Sequence, residues 1–487
     1  MQSQTKQSAK KMKMTTDIPP QILTPDAIQT RLGTLHFFDG FPDEATVEKV
    51  YDNLDFQHGV QAYLTALSGA VSYALREGLR SVGVNDNHTM GITETMIDAK
   101  SLVAMPNCDS IYCFMWLDLQ EGPLVIETPP HVVGFVNDFW GSYIGDVGNA
   151  GPDRGKGGKF LLLPPGYTGE VPGGYFVYHS ATFSNLFFWR GFRVNGDPKP
   201  AVDIIKKSTK VYLLAQAENP PPMKFINLSG LAYNTIYAND FTFFEQVNHI
   251  VQEEPSNAMN PEILGLLAAI GIVKGKPFSP DAHMRALLTE AAAVGNATAR
   301  TMLFKSRLKE GFFYADSAWF NPFIGGSYLF LQDGARLLDA RTTFFFFGWG
   351  ITPAMVVKMV GVGSQSAMAF VDSEGKPFDG SRTYKVHMPP GIPANNFWGF
   401  VVYDNQTRSF LQTDQQYPNI GSQTKDLVIN PDGSVDVWFG PTAPEGHEKN
   451  WLQTIPGKGW CTVLRLYGPL QSWFDKTWRP GEIELVK

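Results

Sequence analysis

Residues 101–119 read SLVAMPNCDSIYCFMWLDL, an apolar, strand-like run with Asn107, Asp109 and Ser110 set into its middle. Buried in such a run, each polar group costs about 1–3 kcal/mol unless it is hydrogen-bonded. Either the fold pairs these groups, or they face a cleft where a ligand does. In an extended strand Asn107, Asp109 and Ile111 share one face, and Cys108, Ser110 and Tyr112 the other. Pro106 marks a strand start or an edge, not the centre of a ladder. The stretch is expected to enter a β-sandwich at its rim, with Asn107 and Asp109 capping a loop or looking into a cleft.

Outward from there, GPLVIETP, KFLLLPP, GYFVYHS and SNLFFWRGFRV alternate with Gly/Pro turns, the texture of short strands in a sandwich or jelly roll. The same texture returns at the far end in TYKVHMPP, FWGFVVYD and GWCTVLRLYGPL, with a hairpin signal at Asn430-Pro431-Asp432-Gly433-Ser434. Before and between them the periodicity is helical. Val47, Val50, Tyr51, Leu54, Val60, Tyr63, Leu64 and Leu67 mark a helix over about 43–82. A helical signal returns at 198–215 and dominates 240–345, where Ser279-Pro280-Asp281 reads as an N-cap followed by proline at the first helical position.

The expected fold is mainly β with a substantial α part: two β-sandwich or jelly-roll-like domains and a helical domain. The expected divisions are a disordered lead at 1–25, a helical segment at 26–100, a first sandwich at 101–215, a helical domain at 216–360 and a second sandwich at 361–487.

A chain of 487 residues with 43% hydrophobic and 18% charged residues is globular and too long for one ordinary core. Its net charge of −7 argues against nucleic acid, which calls for a basic stripe. No run of 18 apolar residues suggests a membrane span, because the candidate at 341–362 is broken by Gly348, Gly350 and Pro353. The basic start MQSQTKQSAKKMKMTTDIPPQ lacks the apolar run of a secretory signal, so a cytoplasmic location is expected, unless a signal has already been removed. Cys108, Cys113 and Cys461 do not read as a disulfide framework.

The sequence carries no nucleophile elbow, zinc-protease motif, paired C-x-x-C or phosphate loop. The nine histidines are scattered, so no metal site is read and no cofactor can be named. Two constellations remain. Residues 107–154 interleave Asn107, Asp109, Tyr112, Asp138, Trp140, Asp146 and Arg154, a mixture of acceptors and flat faces suited to a small polar ligand. Near the C-terminus Trp398, Tyr403, Asp404 and Arg465 form a second group. Arg465, inside the apolar run TVLRLYG, needs a partner: an acid such as Asp404 or Asp432, or a ligand.

Within this pattern PNCDSIYCFMWLDLQEGPLVIETP (106–129) resembles the N-x-D-T-x-Y … D-L … G-P-x-V … P signature of a bacterial domain of unknown function, numbered twelve fifty-four, and DVGNAGPDRGKGGKFLLLPPGY (146–167) continues it. PANNFWGFVVYDNQTRSFLQTD (393–414), NPDGSVDVWFGP (430–441) and residues 450–483 resemble its usual companion, numbered twelve fourteen. The middle, from EILGLLAAIGIVKGKPFSPDAHM through GITPAMVVKMVGVGSQ (262–365), looks like the helical insert of full-length members. Ser110 stands where the family has Thr and keeps the hydroxyl. The resemblance implies two jelly-roll-like domains with a helical domain and leaves the chemistry open.

Three functions stay in play. The first is an enzyme of hydrolase or lyase type acting on a small polar or amphipathic molecule in a sandwich-rim cleft. Asp109, Asn107 and Tyr112 would be its catalytic groups. Trp140, Trp398 and Tyr403 would bind the ligand, with Arg154 or Arg465 as an anion clamp. The second is a non-catalytic module for carbohydrate or another small ligand. The third is a structural or assembly protein, and a homo-oligomer is compatible with each.

Overall fold

The computed structural model describes residues 12–486. The expected disordered lead therefore lies partly outside the described residues; within 12–25 the chain makes one 3-10 turn at Pro20–Ile22. Three short strands follow, β1 (Ala27–Thr30), β2 (Gly33–Phe38) and β3 (Phe41–Pro42), paired in sequence order. The segment expected to be helical from residue 26 thus begins with a small sheet, because Gly33 and Gly40, both at φ +88, supply turns that a helix would not allow.

Helix α1 (Glu44–Ser81) then runs for 38 residues, capped by the Asp43 carboxylate, which accepts from the Thr46 amide at 2.8 Å. Its buried stripe of Ala62, Tyr63, Ala66, Leu67, Ala70, Val71 and Ala74 follows the three-to-four spacing of the sequence.

Next come β4 (Thr89–Ile92), β5 (Ser110–Asp118), β6 (Leu124–Thr128), β7 (Val133–Asp138), β8 (Tyr143–Gly148), β9 (Gly158–Leu163), β10 (Phe176–His179) and β11 (Ser184–Phe192). Helix α2 (Lys199–Ser208) ends earlier than its periodicity suggested. Val211, Tyr212 and Leu213 leave it to form β12 (Lys210–Leu213), which pairs with β6. Strand β13 (Lys224–Asn227) joins β4 in parallel. The result is a six-stranded sheet ordered β13-β4-β5-β11-β7-β8 and a four-stranded sheet ordered β10-β9-β6-β12.

The helices α3 (Thr242–Glu253), α4 (Pro261–Ala269) and α5 (Ala282–Phe304) pack on α1. Asp281, not Ser279, caps α5, accepting from the Met284 amide at 2.8 Å. Past the hairpin β14 (Leu331–Gln332) and β15 (Ala335–Arg336) lie α6 (Leu338–Phe347), which buries the Phe344–Phe347 run, and the short α7 (Pro353–Val356). These helices have no core of their own: one apolar cluster runs from Ala62 through the six-stranded sheet to Phe347 and on to Val401, Tyr403 and Val463.

The C-terminal part contributes β16 (Ser364–Ala369), β17 (Tyr384–Met388), β18 (Ala394–Asp404), β19 (Asn419–Gly421), β20 (Val435–Gly440), β21 (Trp451–Gln453), β22 (Trp460–Pro469) and β23 (Ile483–Leu485). They form two four-stranded sheets, β16-β22-β18-β19 and β21-β20-β17-β23, around a second core that includes Trp398, Phe400, Phe439 and Trp460. Residues 430–434 make the expected turn, with Gly433 at φ +85, but it leads into β20 from an irregular segment, so no hairpin forms there. The architecture is mixed α/β with several sheets. Among the described residues no helix is long and apolar enough to cross a membrane.

Candidate functional site

The opening stretch resolves first. Strand β5 starts at Ser110, so residues 107–109 are a turn leading into it and not part of the strand. Fully buried Asn107 holds that turn. Its Oδ1 accepts from the Asp109 amide (3.0 Å), the Ser110 amide (3.1 Å) and the Ser110 hydroxyl (2.9 Å). Its Nδ2 and backbone N–H both donate to the Tyr112 hydroxyl at 3.0 Å. Asn107 is a cap whose side-chain oxygen is committed within the turn.

Asp109 differs. Its Oδ1 accepts from Asn419 Nδ2 at 2.6 Å and lies 3.5 Å from an Arg193 nitrogen, while Oδ2 is buried with no partner. Burial pushes its carboxyl above the usual carboxylate range, against the opposing pull of Asn419 and Arg193.

The register of the two large sheets then builds a chamber. In β5 and β11 Tyr112 stands opposite Arg190 and Phe114 opposite Phe188, and Phe188 stands opposite Phe135 of β7. Cross-strand partners share a face, so Tyr112, Phe114, Phe188, Arg190 and Phe135 point the same way. In the C-terminal sheet Ser366 stands opposite Arg465, Ser364 opposite Tyr467 and Met368 opposite Val463. Across β18, Arg465 stands opposite Gly399, where a Cβ would come within 3.0 Å of Asn419 Oδ1 and 3.5 Å of Asp109 Oδ2.

These two faces enclose a cavity of about 70 Å³ that opens into one of about 300 Å³; Phe135, Arg190, Met355 and Ser364 line both. Phe344, Phe347 and Trp349 close one side. Trp349 sits 4.8 Å from the Phe188 ring and donates from Nε1 to the Ala104 carbonyl at 2.9 Å. Asn149, Phe192 and Asn396 lead on to a wider surface hollow.

The charges in this chamber are unbalanced. Arg465 donates to the Met105 carbonyl at 2.7 Å and to the Tyr403 hydroxyl at 3.0 Å, and its Nε is buried without a partner. The Arg190 side chain makes no hydrogen bond or ion pair among the described residues, and its guanidinium lies 6.0 Å from the Tyr467 ring centre. The Tyr467 hydroxyl is also unpartnered, and burial pushes it upward. No carboxylate of the described residues lines either cavity. A guanidinium stays protonated at any physiological pH, so the chamber presents two fixed positive charges in an apolar, aromatic enclosure.

Of the residues singled out from sequence, Tyr112 and Arg465 line the chamber, Tyr403 supports Arg465 from behind, and Asn107 anchors Tyr112. Asp109 lies beside Arg193 and Asn419 without lining the cavities. Three others are elsewhere. Trp398 packs into the second core, Arg154 is exposed on a surface turn at φ +50, and Trp140 lines a separate cavity next to Gly141 and Tyr143. Neither Asp404 nor Asp432 is the acid that Arg465 was expected to need: Asp404 pairs with Lys458, and Asp432 holds Ser434. Arg190, Arg193 and Trp349 were missed. An arginine inside SNLFFWRGFRV carries the same signal that drew attention to Arg465, a charge in an apolar strand. Among the described residues no group of His, Cys, Asp or Glu is arranged as a metal would require.

Residues 87–213 match a family model described as a protein of unknown function (DUF1254), and residues 363–471 match another of the same description (DUF1214). No curated protein matches. The crystal structure of the VPA0106 protein from Vibrio parahaemolyticus covers 89% of this chain and 100% of its own, at 16% identity and a TM-score of 0.56, and shares the fold. An uncharacterised protein from Burkholderia cenocepacia covers 90% of this chain and 96% of its own at 13% identity, with a TM-score of 0.37. The chain thus joins a DUF1254 segment to a DUF1214 segment, and the candidate chamber is lined from both of them and from the residues between.

Proposed function

We propose that the protein binds an amphipathic organic anion, with the acidic head between Arg190 and Arg465 and the apolar body against Phe344, Phe347 and Trp349. The observation that carries this reading is the pair of arginines facing one aromatic chamber, among the described residues neither in an ion pair and with no carboxylate in the lining; the electrostatic pull between Arg465 and Asp109 acts from outside it. A buried charge without a counter-charge is costly, and an anionic ligand that completes its hydrogen bonds removes that cost. Seven aromatic residues line the inner cavity, which suits a ligand whose remainder is apolar. The aromatic side chains face inward and do not form an exposed platform, so binding of a small amphiphile is favoured over a carbohydrate module. Asp109, the group on which an acid–base enzyme would depend, stands behind the chamber, and this favours binding over catalysis.

Octanoate and octanol separate the charge from the tail. At 100 times its dissociation constant a ligand stabilises the native state by about 2.7 kcal/mol, enough to move a melt by several degrees. Octanoate is expected to raise the melting temperature of the wild type, and octanol to have little effect. Arg190→Gln is expected to weaken octanoate at least tenfold while leaving the unliganded melt nearly unchanged, because Arg190 holds no protein acceptor. Equal shifts from both compounds, or an unaltered affinity in the variant, would remove the basis of this reading.

A further inference from the structure

A second cavity, of about 250 Å³, lies against a different face of α6. Phe344 and Phe347 of that helix line the chamber described above, whereas Arg341 and Phe345 line this one. Arg341 makes no side-chain hydrogen bond, ion pair or ring contact among the described residues. Burial, and then the like charge of Arg336, push it down to about 10, and it remains cationic at neutral pH.

Arg336 lines the same cavity and is tied to the Leu329 carbonyl. On the facing wall stands Trp140, 8% exposed, with its indole N–H buried and unpartnered. Tyr143 and Tyr328, edge to face at 5.1 Å, also line it, with Thr65, Ser68, Ser142, Asn260 and apolar residues. Among the described residues no carboxylate contributes to it. Asp138 turns its Oδ1 to the Trp140 and Ser142 amides at 2.9 and 2.7 Å, and Asp339, two residues before Arg341, pairs with Arg307 at 3.1 Å.

From this arrangement we infer that the cavity beside α6 is a second ligand site, for a small oxyanion carrying an aromatic ring. The Arg341 guanidinium would take the oxyanion in a two-pronged contact, and Tyr143, Tyr328 and Phe345 would flank the ring. The inference stands apart from the first chamber, since it uses different residues and a different face of the helix. Carboxylate and phosphate share the chemistry of the head group, and ring-bearing probes of each kind tell them apart.

The experiment is calorimetric titration of the full chain carrying Arg190→Gln, which disarms the first chamber, with benzoate, phenyl phosphate and neutral benzyl alcohol. One of the two anions is expected to bind and the alcohol at least tenfold more weakly. Tighter binding of benzoate would assign a carboxylate site, and tighter binding of phenyl phosphate a phosphate site. Adding Arg341→Gln is expected to weaken the anion at least tenfold, while Arg341→Lys, which keeps the charge but not the two-pronged geometry, is expected to bind more weakly than Arg341 and more tightly than Arg341→Gln. Binding that ignores both Arg341 variants, alcohol binding as tight as that of the anions, or no binding by a protein that melts normally would each overturn the inference.

Discussion

Asn107 and Asp109 stand two positions apart and do opposite things. The carboxamide oxygen of Asn107 meets two amides and a hydroxyl, so it fixes the entry to β5. Asp109 keeps one oxygen unpartnered in a place where burial already disfavours its charge. Asp146 is a sharper instance of the same physics. It is 8% exposed, accepts from the Thr352 hydroxyl at 2.5 Å, and is pushed up to about 6, chiefly by burial. Its folded value lies above its ordinary value of 3.8, so the native state holds the proton more tightly than the unfolded chain does. The resulting stability is fully present below about pH 4 and is lost as pH rises through about 6. By pH 8 the loss is at most roughly 3 kcal/mol. Asp146→Asn, neutral throughout, is expected to unfold with a flatter pH dependence between 5 and 8 than the wild type, as read from urea midpoints at the two values. Parallel curves for the two proteins would contradict this.

Helix α1 spans about 57 Å at 1.5 Å per residue, and glycine decides how closely its neighbours approach it. A Cβ at Gly59 would stand 2.7 Å from the Ala291 Cβ of α5, and one at Gly295 would meet the Tyr63 ring at 2.6 Å. Glycine-to-alanine in a helix normally gains about 1 kcal/mol, whereas overpacking costs about 1–3 kcal/mol. The contact at Gly59 is with a methyl fixed to a facing backbone, so Gly59→Ala should lose about 1–2 kcal/mol. Gly265 in α4 has open space around its Cβ position, so Gly265→Ala should gain about 0.5–1 kcal/mol. Chemical denaturation of both variants checks the pair, and a stabilised Gly59→Ala would show that α1 and α5 are less tightly held than described. This scale was also the most legible from sequence. The stripe of α1 repeats every three to four residues, a local pattern, and it marks the helix to within a residue or two. Strand β12 was hidden because Lys206 and Lys207 extend the helical pattern up to its edge. The turn at 107–109 was hidden because apolar residues flank it on both sides.

At the scale of the molecule the chamber exists because chain segments some 300 residues apart are laced together. The Tyr403 hydroxyl donates to the Pro106 carbonyl, Arg465 to the Met105 carbonyl, and Asn419 to Asp109. The Met105 amide donates to the Arg408 carbonyl, and the Ala99 amide to that of Gln416. No local pattern announces such pairings, which is why Tyr112 and Arg465 could each be noticed in sequence, and Arg190 by the same signal, while their common enclosure could not. The apolar surface is shared in the same way, since Val401, Tyr403, Phe410, Cys461 and Val463 of the C-terminal part belong to the core that begins at Ala62. Opening the C-terminal sheets would strip those contacts from the six-stranded sheet, expose the apolar surface they cover to water and exchange the bonds to Met105 and Pro106 for bonds to water. Neither part then has a stable state without the other, even though a second core lies wholly within the C-terminal half. The full chain is therefore expected to melt in one calorimetric transition with calorimetric and van't Hoff enthalpies in agreement, unlike a chain of independent domains. Tyr403→Phe, which removes the hydroxyl that joins Pro106 to Arg465, should lower that single transition without splitting it. Two resolved endotherms in the wild type, or a variant whose C-terminal sheets melt ahead of the rest, would mean that the two parts are stable apart and that the chamber between them can open without unfolding either one.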